Sequence, residues 1–189
     1  MGAKKTDIGL GVMVIEPDYF EDYRGYYCEV YSKRTLENLG IHMDFVQDNH
    51  SYSMKKGTIR GIHFQNNPVP QAKLVRCTNG RVMDYAVDLR KDSPTFKQWV
   101  CVELSKENRK QILIPAGFGH AFITLTDECE VLYKVDGLYE PKLDRSIKWD
   151  DPEINIPWGC DDPIVSQKDI HAPYLKDSDV NFSIKDSEK

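Results

Sequence analysis

Residues 73–89, KLVRCTNGRVMDYAVDL, predict the fold of this chain more clearly than any other stretch. Residues 73–78 read as one β-strand, and the alternation in residues 82–89 is typical of a second strand with one strongly apolar face. Asn79-Gly80 lies between them, and this pair is typical of a type I′ turn, which needs two residues tolerant of positive φ. The stretch therefore predicts a β-hairpin with the strands Lys73–Thr78 and Val82–Leu89.

The rest of the chain is also predicted to be mostly β. Further strands are predicted at Val12–Glu16, Tyr26–Tyr31, Phe45–Asn49, Trp99–Leu104, Gln111–Ile114, Ala121–Leu125 and Glu130–Val135. One short helix is predicted at Lys33–Leu39, with Ser32 as its N-cap and Gly40 just past its end. Many short strands with regular turn signals predict an all-β sandwich or barrel, including the jelly-roll group.

Length and composition are those of an ordinary globular protein. The chain has 189 residues, 40% of them hydrophobic and 29% charged. We expect a single domain over residues 1–189, whose polar tail frays from about residue 176. The formal net charge of −5 argues against nucleic acid or an anionic membrane as a partner. An anionic ligand would therefore need a local basic pocket.

Location and metal content can be predicted from what the sequence lacks. It has no apolar run of about 18 residues that could span a bilayer, and its first residues lack the apolar core of a signal peptide. The five cysteines are scattered and never spaced C-x-x-C: Cys28, Cys77, Cys101, Cys129 and Cys160. This pattern favours reduced thiols over a disulfide framework or a zinc site. We therefore expect a cytoplasmic protein.

The chemistry is indicated by residues 60–65 (RGIHFQ) and 71–75 (QAKLV), which read as adjacent strands. A histidine can take a proton near neutral pH, a lysine can stabilise an oxyanion and an arginine can grip a phosphate. Taken singly, Arg60, His63 and Lys73 would each be interpreted as ordinary surface or polar residues. Together they predict an enzyme that removes a carbon-bound proton from an anionic substrate.

Several other segments extend this pattern. They are 22–29 (DYRGYYCE), 45–51 (FVQDNHS), 57–65 (GTIRGIHFQ), 70–75 (PQAKLV), 87–96 (VDLRKDSPTF), 114–122 (IPAGFGHAF), 133–134 (YK), and 166–169 (SQKD) leading into 172–173 (AP). In this order and spacing they resemble the dTDP-4-dehydrorhamnose 3,5-epimerase family, over about residues 7–174. The resemblance implies a cupin-type jelly roll that works as a homodimer, with no cofactor and no metal.

The resemblance also implies a reaction and a set of residues. The substrate is a dTDP-linked 4-keto-6-deoxy sugar, whose ketone makes the protons on C3 and C5 acidic. Four residues are implied in catalysis: His63 as the base, Asp169 as the carboxylate that orients it, Lys73 near the C4 oxygen, and Tyr133 as the proton donor on the opposite face. The residues implied in substrate binding are Arg24 and Arg60 on the pyrophosphate, Tyr27 on the thymine ring, and Glu29, Gln47, Asp48, Asn49, His120, Tyr139, Asp144 and Lys168 around the nucleotide or sugar.

Two departures from the family pattern lie near the sugar side. Residues 135–138 read VDGL, where the family usually has two small polar residues and an acidic one. Asp144 stands where a glutamate is common and is one methylene shorter. These departures leave open which sugar nucleotide is used and whether one or both of C3 and C5 are inverted.

Two other classes of function compete with this interpretation. A metal-dependent cupin is suggested by residues 115–120 (PAGFGH), which match the second cupin metal motif. The first motif needs two histidines one residue apart, but His63 is followed by Gln65, so only two ligands can be assembled and no metal is expected. A non-catalytic sugar-nucleotide-binding cupin would not need a base and an acid together, which the implied catalytic residues supply.

Overall fold

The computed structural model describes residues 1–187, and most of this range is β-strand. The strands are β1 (Ala3–Gly9), β2 (Val12–Pro17), β3 (Tyr19–Asp22), β4 (Gly25–Cys28), β5 (Gln47–Ser53), β6 (Thr58–Gln65), β7 (Lys73–Asn79), β8 (Arg81–Asp88), β9 (Trp99–Ser105), β10 (Gln111–Ile114), β11 (Phe118–Thr124), β12 (Cys129–Val135), β13 (Asp144–Ser146) and β14 (Ile164–Val165). The helices are α1 (Lys33–Asn38), α2 (Gln167–Ile170) and two 3-10 turns, Leu175–Asp177 and Ile184–Ser187. No helix in this described range is long and apolar enough to cross a membrane.

Two sheets form the body of the molecule. Sheet one has the order β1-β2-β10-β7-β12-β5, and sheet two has the order β13-β6-β11-β8-β9 with β14 beside β6. The pair β3–β4 forms a separate hairpin. The prediction of an all-β protein with a few short helices is therefore confirmed. The predicted helix is present as α1, and the hydroxyl of Ser32 caps it by accepting a hydrogen bond from the Thr35 N–H.

The predicted hairpin between β7 and β8 is wrong. Strand β7 pairs with β10 and β12 in sheet one, whereas β8 pairs with β11 and β9 in sheet two. Gly80 has φ +72, and a Cβ there would lie 2.6 Å from the Thr126 hydroxyl oxygen, so glycine is needed for close packing as well as for its backbone conformation. The Asn79-Gly80 turn thus carries the chain from one sheet to the other.

The two faces of sheet two are buried against different partners. Its inner face, which faces sheet one, contributes Val82 and Ala86 to a core that includes Val75 of β7. Its outer face contributes Tyr85 and Val87 to a second core, which is completed by residues from the C-terminal third of the chain: Ile147, Ile154, Ile156, Trp158, Leu175, Val180 and Phe182. The C-terminal segment therefore covers the outer face as a third layer.

This packing corrects the prediction of a frayed tail. Val180 is 2% exposed and Phe182 is 3% exposed, and the Phe182 ring packs edge-on against Phe64 of β6 at a centroid distance of 5.6 Å. Burying each such side chain stabilises the fold by about 1.5–3 kcal/mol. The tail is polar in composition, but these few apolar residues hold it to the core. Residues 188–189, the end of the predicted tail, lie outside the described range.

Candidate active site

A β-bulge in β6 turns Arg60 and His63 to the same side of sheet two. On the neighbouring strand β11, Phe122 pairs with Arg60 and His120 pairs with His63. Between these two pairs β6 therefore contains one more residue than β11. Without the extra residue, side chains three positions apart would face opposite ways. Gly61 lies in the bulge with φ +137, and a Cβ there would lie 2.3 Å from the Cβ of Ala121. The bulge therefore requires glycine, and it gives Arg60 and His63 a common face.

His63 and Asp169 form a hydrogen-bonded pair. The His63 Nε2 atom lies 2.6 Å from an Asp169 carboxylate oxygen, and the Asp169 side chain is only 2% exposed. Burial acts to raise the pKa of Asp169, but hydrogen bonds from His63, Ser166 and the Gly61 backbone outweigh it and lower that pKa. The ionised carboxylate therefore accepts the Nε2–H of the imidazole, which leaves Nδ1 of the neutral ring free to take a proton.

Lys73 faces this pair from the other sheet. The prediction that its strand lies adjacent to the strand of Arg60 and His63 is wrong, since β7 belongs to sheet one and β6 to sheet two. Lys73 is 7% exposed. Burial lowers the pKa of Lys73 to about 8, although the carboxylates of Asp84 and Asp144 act to raise it. The side chain is thus an ammonium at neutral pH in a site where a developing negative charge would be strongly stabilised.

Tyr133 lies on β12, close to Lys73. The Lys73 ammonium is 5.8 Å from the centroid of the Tyr133 ring. Burial, together with the nearby charge of Asp144, raises the pKa of Tyr133. Its hydroxyl therefore remains protonated at neutral pH and can act as a proton donor.

These side chains line one cavity of about 240 Å³ between the sheets. The predicted site residues that it brings together are Arg60, His63, Lys73, His120, Tyr133, Tyr139, Asp144 and Lys168. Asp169 lies behind His63. The cavity contains the side chains of three basic residues, so it is the local basic pocket that an anionic ligand would need in an acidic protein.

Hydrogen bonds hold several of these side chains in place. The Arg60 guanidinium donates to the Ser53 hydroxyl at 3.0 Å and to the Tyr52 carbonyl at 2.9 Å. Lys168 and Asp144 form an ion pair at 2.6 Å. These contacts orient two cationic groups toward the cavity before any ligand binds.

The predicted residues of β5 divide between its two faces. The Gln47 side chain accepts the Tyr139 N–H at 3.0 Å and donates to Asn49 at 2.9 Å, and both residues lie on the same face of β5 as Ser51, which lines the cavity. Asp48 points to the opposite face, where it pairs with Lys134 at 2.6 Å. Neighbouring residues on a strand cannot share a face, so the Asp48 side chain lies apart from those of Gln47 and Asn49, and its contact with a ligand stays a prediction.

Three further predicted residues lie away from the cavity. Arg24 pairs with Asp22 at 2.6 Å and Tyr27 is 63% exposed, both on the β3–β4 hairpin. Glu29 accepts a hydrogen bond from the Thr35 hydroxyl. None of the three lines the cavity that contains His63. Within one chain, the hairpin residues that are predicted to contact the pyrophosphate and the thymine ring therefore lie apart from the predicted catalytic residues.

Several residues of the site were not predicted from the sequence. The cavity is also lined by Ser51, Phe64, Gln71 and Phe122. In addition, the fully buried Asp84 of β8 lies 2.9 Å from Nε2 of His120. The sequence signal for Asp84 was its position on the same strand face as the apolar Val82 and Ala86. In the structure both faces of this strand are buried. Among residues 1–187, no group of three or more His, Cys, Asp or Glu side chains is arranged to hold a metal ion.

Comparisons with known proteins identify the family of the chain. The family model described as dTDP-4-dehydrorhamnose 3,5-epimerase matches residues 5–177. A Shigella flexneri protein of that name is 46% identical over 180 residues, which are 95% of this chain and 98% of the relative.

Solved structures give the same result. The Bacillus anthracis dTDP-4-dehydrorhamnose 3,5-epimerase, with TDP and PPi bound, has a TM-score of 0.89 at 47% identity, covering 91% of this chain and 99% of that one. The Legionella pneumophila dTDP-6-deoxy-D-glucose-3,5-epimerase, in complex with dTDP-4-keto-L-rhamnose, has a TM-score of 0.88 at 40% identity, covering 94% and 95%. These similarities confirm the prediction of a cupin-type jelly roll. The chain therefore belongs to the dTDP-4-dehydrorhamnose 3,5-epimerase family, whose members are isomerases.

Proposed function

We propose that this chain converts dTDP-4-dehydro-6-deoxyglucose to dTDP-4-dehydrorhamnose by inverting C3 and C5 of the sugar. The observation that carries the proposal is the cavity in which His63, with the buried Asp169 behind it, faces Lys73 and Tyr133. A site that only bound a sugar nucleotide would need no such combination of base, cation and acid. The substrate class is supported by the Legionella relative, which was solved with dTDP-4-keto-L-rhamnose.

Proton abstraction is the role of His63 in this proposal. Nδ1 of the neutral imidazole takes a proton from a carbon next to the C4 ketone, and the electron pair of the broken C–H bond passes to the C4 oxygen. Asp169 stabilises the imidazolium that forms, because its carboxylate lies 2.6 Å from Nε2. Buried at the back of the site, Asp169 also holds the ring in one orientation.

Lys73 and Tyr133 complete the reaction. The Lys73 ammonium stabilises the enolate oxygen, and its low exposure increases the strength of that interaction. The Tyr133 hydroxyl then gives a proton to the opposite face of the carbanionic carbon, which inverts it. Proton exchange with solvent returns His63 and Tyr133 to their starting states, so no other reactant is needed.

Binding of the nucleotide is assigned to basic side chains. Arg60 and Lys168 point into the cavity and would hold the pyrophosphate. Arg24, Tyr27 and Glu29 do not line it, so we assign them to the cavity of a second copy of the chain, in a homodimer. The exposure of the hairpin aromatics, with Tyr23 at 97% and Tyr26 at 53%, supports this arrangement.

The location proposed for the enzyme is the cytoplasm. All five cysteines are unpaired: Cys28, Cys77, Cys101, Cys129 and Cys160. Two of them, Cys77 and Cys129, are buried close together, and burial raises the pKa of Cys77 to about 12. Reduced, unreactive thiols of this kind suit a reducing compartment.

The direct test is incubation with dTDP-4-keto-6-deoxyglucose in deuterated water. NMR should show deuterium at both C3 and C5 and the appearance of the rhamno product. Absence of deuterium from both carbons would contradict the proposed function.

A second candidate is inversion at only one of the two carbons. It is favoured by the departure at residues 135–138, which touches the wall of the cavity. The Gln71 side chain donates to the Gly137 carbonyl at 2.8 Å, and the Gln65 side chain donates to the Leu138 carbonyl at 3.0 Å. In this case deuterium would appear at C3 alone or at C5 alone in the same experiment.

A further inference from the structure

Gln65 is a buried glutamine whose side-chain amide binds only backbone groups. It is the last residue of β6 and is 3% exposed. Its Nε2 donates to the Val69 carbonyl at 2.6 Å and to the Leu138 carbonyl at 3.0 Å, and its Oε1 accepts the Glu140 N–H at 2.8 Å. Because an amide has two N–H donors and one acceptor oxygen, every polar atom of this side chain is paired. The amide therefore pairs with residues 138–140 much as a neighbouring strand would.

These contacts hold Tyr139 from both sides. Leu138 and Glu140 are its neighbours in sequence, so Gln65 fixes the backbone before and after it. The Tyr139 N–H itself donates to the Gln47 side chain at 3.0 Å. Gln65 belongs to β6 of sheet two and Gln47 to β5 of sheet one. The backbone of Tyr139 is thus anchored to both sheets.

The anchored backbone places the Tyr139 ring in the wall of the cavity. The ring lines the cavity that contains His63, although the residue is 53% exposed. Its hydroxyl lies 3.4 Å from Asp144, the residue of β13 that pairs with Gln65 in the strand register. Asp144 in turn forms the ion pair with Lys168. A shift of the backbone at Tyr139 would therefore displace a ring and a hydroxyl that border the ligand space.

Gln65 itself is not among the described residues that line the cavity. By alternation it lies on the same face of β6 as His63, at the position where the first cupin metal motif has its second histidine. Here both N–H groups of the side chain are taken by backbone carbonyls. Any effect of Gln65 on a ligand must therefore pass through the residues that it holds.

We propose that Gln65 is a positioning residue, which fixes Tyr139 against the sugar of the bound sugar nucleotide. The sugar-binding role rests on the proposed function, whereas the anchoring of Tyr139 does not. The Arg60 guanidinium, assigned to the pyrophosphate, is held by Ser53 and Tyr52 instead. Affinity for the nucleotide part should therefore not depend on Gln65.

The physical basis is preorganisation. Leu138 and Tyr139 are 64% and 53% exposed, so few packing contacts order this part of the chain. Hydrogen bonds to buried partners order it before a ligand binds, and binding then need not restrict the backbone. Without the donors of Gln65 the ligand itself must order residues 138–140, and part of the affinity for the sugar is lost.

The test is calorimetric titration of Gln65→Glu with dTDP and with dTDP-glucose. The glutamate has nearly the same shape but no N–H, so the carbonyls of Val69 and Leu138 lose their donors. The sugar of dTDP-glucose has no C4 ketone, so this ligand binds without reacting. Its Kd should rise about 2–12-fold, the range for one hydrogen bond between Tyr139 and the sugar, while the Kd for dTDP should not change. Equal changes for the two ligands, or no change for either, would overturn the proposal.

A double-mutant cycle tests whether Gln65 acts through Tyr139. Tyr139→Ala should itself weaken dTDP-glucose binding, and Gln65→Glu should then add little to that loss. Losses that add in full would show that Gln65 affects the sugar by another route, contrary to the proposal. These affinities do not depend on turnover, so failure of the proposed function and failure of the role of Gln65 remain distinguishable.

Gln111→Glu is the matched control. Gln111 of β10 is also 3% exposed, and its amide donates to the Val30 carbonyl at 2.8 Å in a different pocket. Both variants put a carboxylate in place of a buried amide, so both should lower the thermal midpoint. Only Gln65→Glu should change the ratio of the two Kd values. A ratio changed equally in both variants would show that lost stability is responsible, and the proposal would fail.

A measurement on the unaltered protein covers the case in which Gln65→Glu does not fold. Hydrogen exchange followed by NMR should be slow for the backbone N–H groups of Tyr139 and Glu140, which donate to Gln47 and Gln65. Exchange of the Glu140 N–H at the rate of an unfolded chain would contradict the anchoring role of Gln65.

Discussion

The two faces of strand β8 differ in chemistry although both are buried. On the outer face Tyr85 packs edge-on against Trp99 and Trp158, with ring centroids 5.5 Å and 5.1 Å away. On the inner face Asp84 sits between apolar neighbours and binds His120 at 2.9 Å. One strand thus supplies an apolar core on one side and, on the other, a second apolar core that contains a polar pair beside the cavity.

Alternation along the strand therefore places the aromatic core on one face and the charged residues of the site on the other. The outer core, closed by the C-terminal segment, contributes hydrophobic stabilisation and keeps sheet two rigid. The space between the sheets can then hold Asp84 of β8 and Lys73 of β7 buried, each at a cost in free energy. Changes on the outer face should therefore affect folding, and changes on the inner face should affect catalysis.

The largest effect is expected from Gly61→Ala, which should disrupt both faces together. The added Cβ would lie 2.3 Å from the Cβ of Ala121 and 2.8 Å from the His120 carbonyl oxygen, at a φ of +137. We expect destabilisation by more than about 4 kcal/mol and loss of activity, because the bulge that aligns Arg60 with His63 cannot form. Chemical denaturation and the epimerase assay would measure the two effects.

Gly11→Ala is the matched control for backbone strain. Gly11 also has a positive φ, +85, but a Cβ there would meet nothing within 4 Å. This change should cost only about 1–2 kcal/mol and leave kcat intact. Equal effects of the two substitutions would contradict the assigned role of the bulge.

Phe182→Ala should affect folding alone. Its ring is 3% exposed and packs on Phe64 at the outer face. Truncation should lower the free energy of unfolding by about 3–5 kcal/mol, while kcat below the melting range stays within about twofold. Met54→Ala, at a side chain that is 65% exposed, should change stability by less than about 0.5 kcal/mol. An unchanged melting temperature in Phe182→Ala would mean that the tail is not part of the core.

Arg60→Ala should affect ligand binding rather than folding. Its loss removes charge-assisted hydrogen bonds to the proposed pyrophosphate, so dTDP affinity should fall by about 1.5–3 kcal/mol, roughly 10–150-fold in Kd. The control is Arg76→Ala, since Arg76 of β7 lines a different pocket, beside Leu74 and Lys134. Calorimetric titration with dTDP measures both variants. Equal loss of affinity in the two would place the pyrophosphate elsewhere.

Lys73→Met should stabilise the protein while removing activity. Lys73 has its pKa lowered by burial from 10.5 to about 8, so the folded state disfavours the charged form. That penalty is fully present below pH 8 and is relieved as pH rises from about 8 to 10.5. The variant should therefore be more stable by about 1–3 kcal/mol at pH 7, with the gain shrinking in that window. A variant less stable than the parent at pH 7 would show that Lys73 is favourably paired.

Much of the fold could be predicted from period-two patterns and from the α1 cap, but the assignment of strands to sheets could not. The pair Asn79-Gly80 predicts a tight reversal of the chain. Whether the following strand β8 pairs with β7 or crosses to the facing sheet depends on contacts far away in sequence. The bulge at Gly61 could not be predicted either, since its extra residue is defined only against β11. The local sequence predicts the turn, and pairing with distant strands decides whether that turn closes a hairpin or connects two sheets.

For the candidate site, the sequence indicated which side chains to expect but not how the fold arranges them. His63, Lys73, Tyr133 and Asp169 do meet at one cavity, although their strands lie in two sheets. The separate orientation of the Asp48 side chain was not predicted, because residues 47–49 were considered as a group rather than by alternation along a strand. Asp84 was missed because a carboxylate opposite the strongly apolar face of a strand is ordinarily interpreted as solvated, and the burial of its own face against sheet one is a tertiary contact.

In the proposed mechanism His63 abstracts the proton and Tyr133 returns one from the opposite face. The most direct measurement is deuterium incorporation at C3 and C5, read by NMR alongside product formation, in His63→Ala and Tyr133→Phe. In His63→Ala both exchange and inversion should fall by about 10²–10⁴-fold, because no enolate forms. In Tyr133→Phe exchange should survive while inversion falls, since the ring remains but the proton donor is lost. Exchange that persists in His63→Ala, or normal inversion in Tyr133→Phe, would contradict this division of the proton transfers.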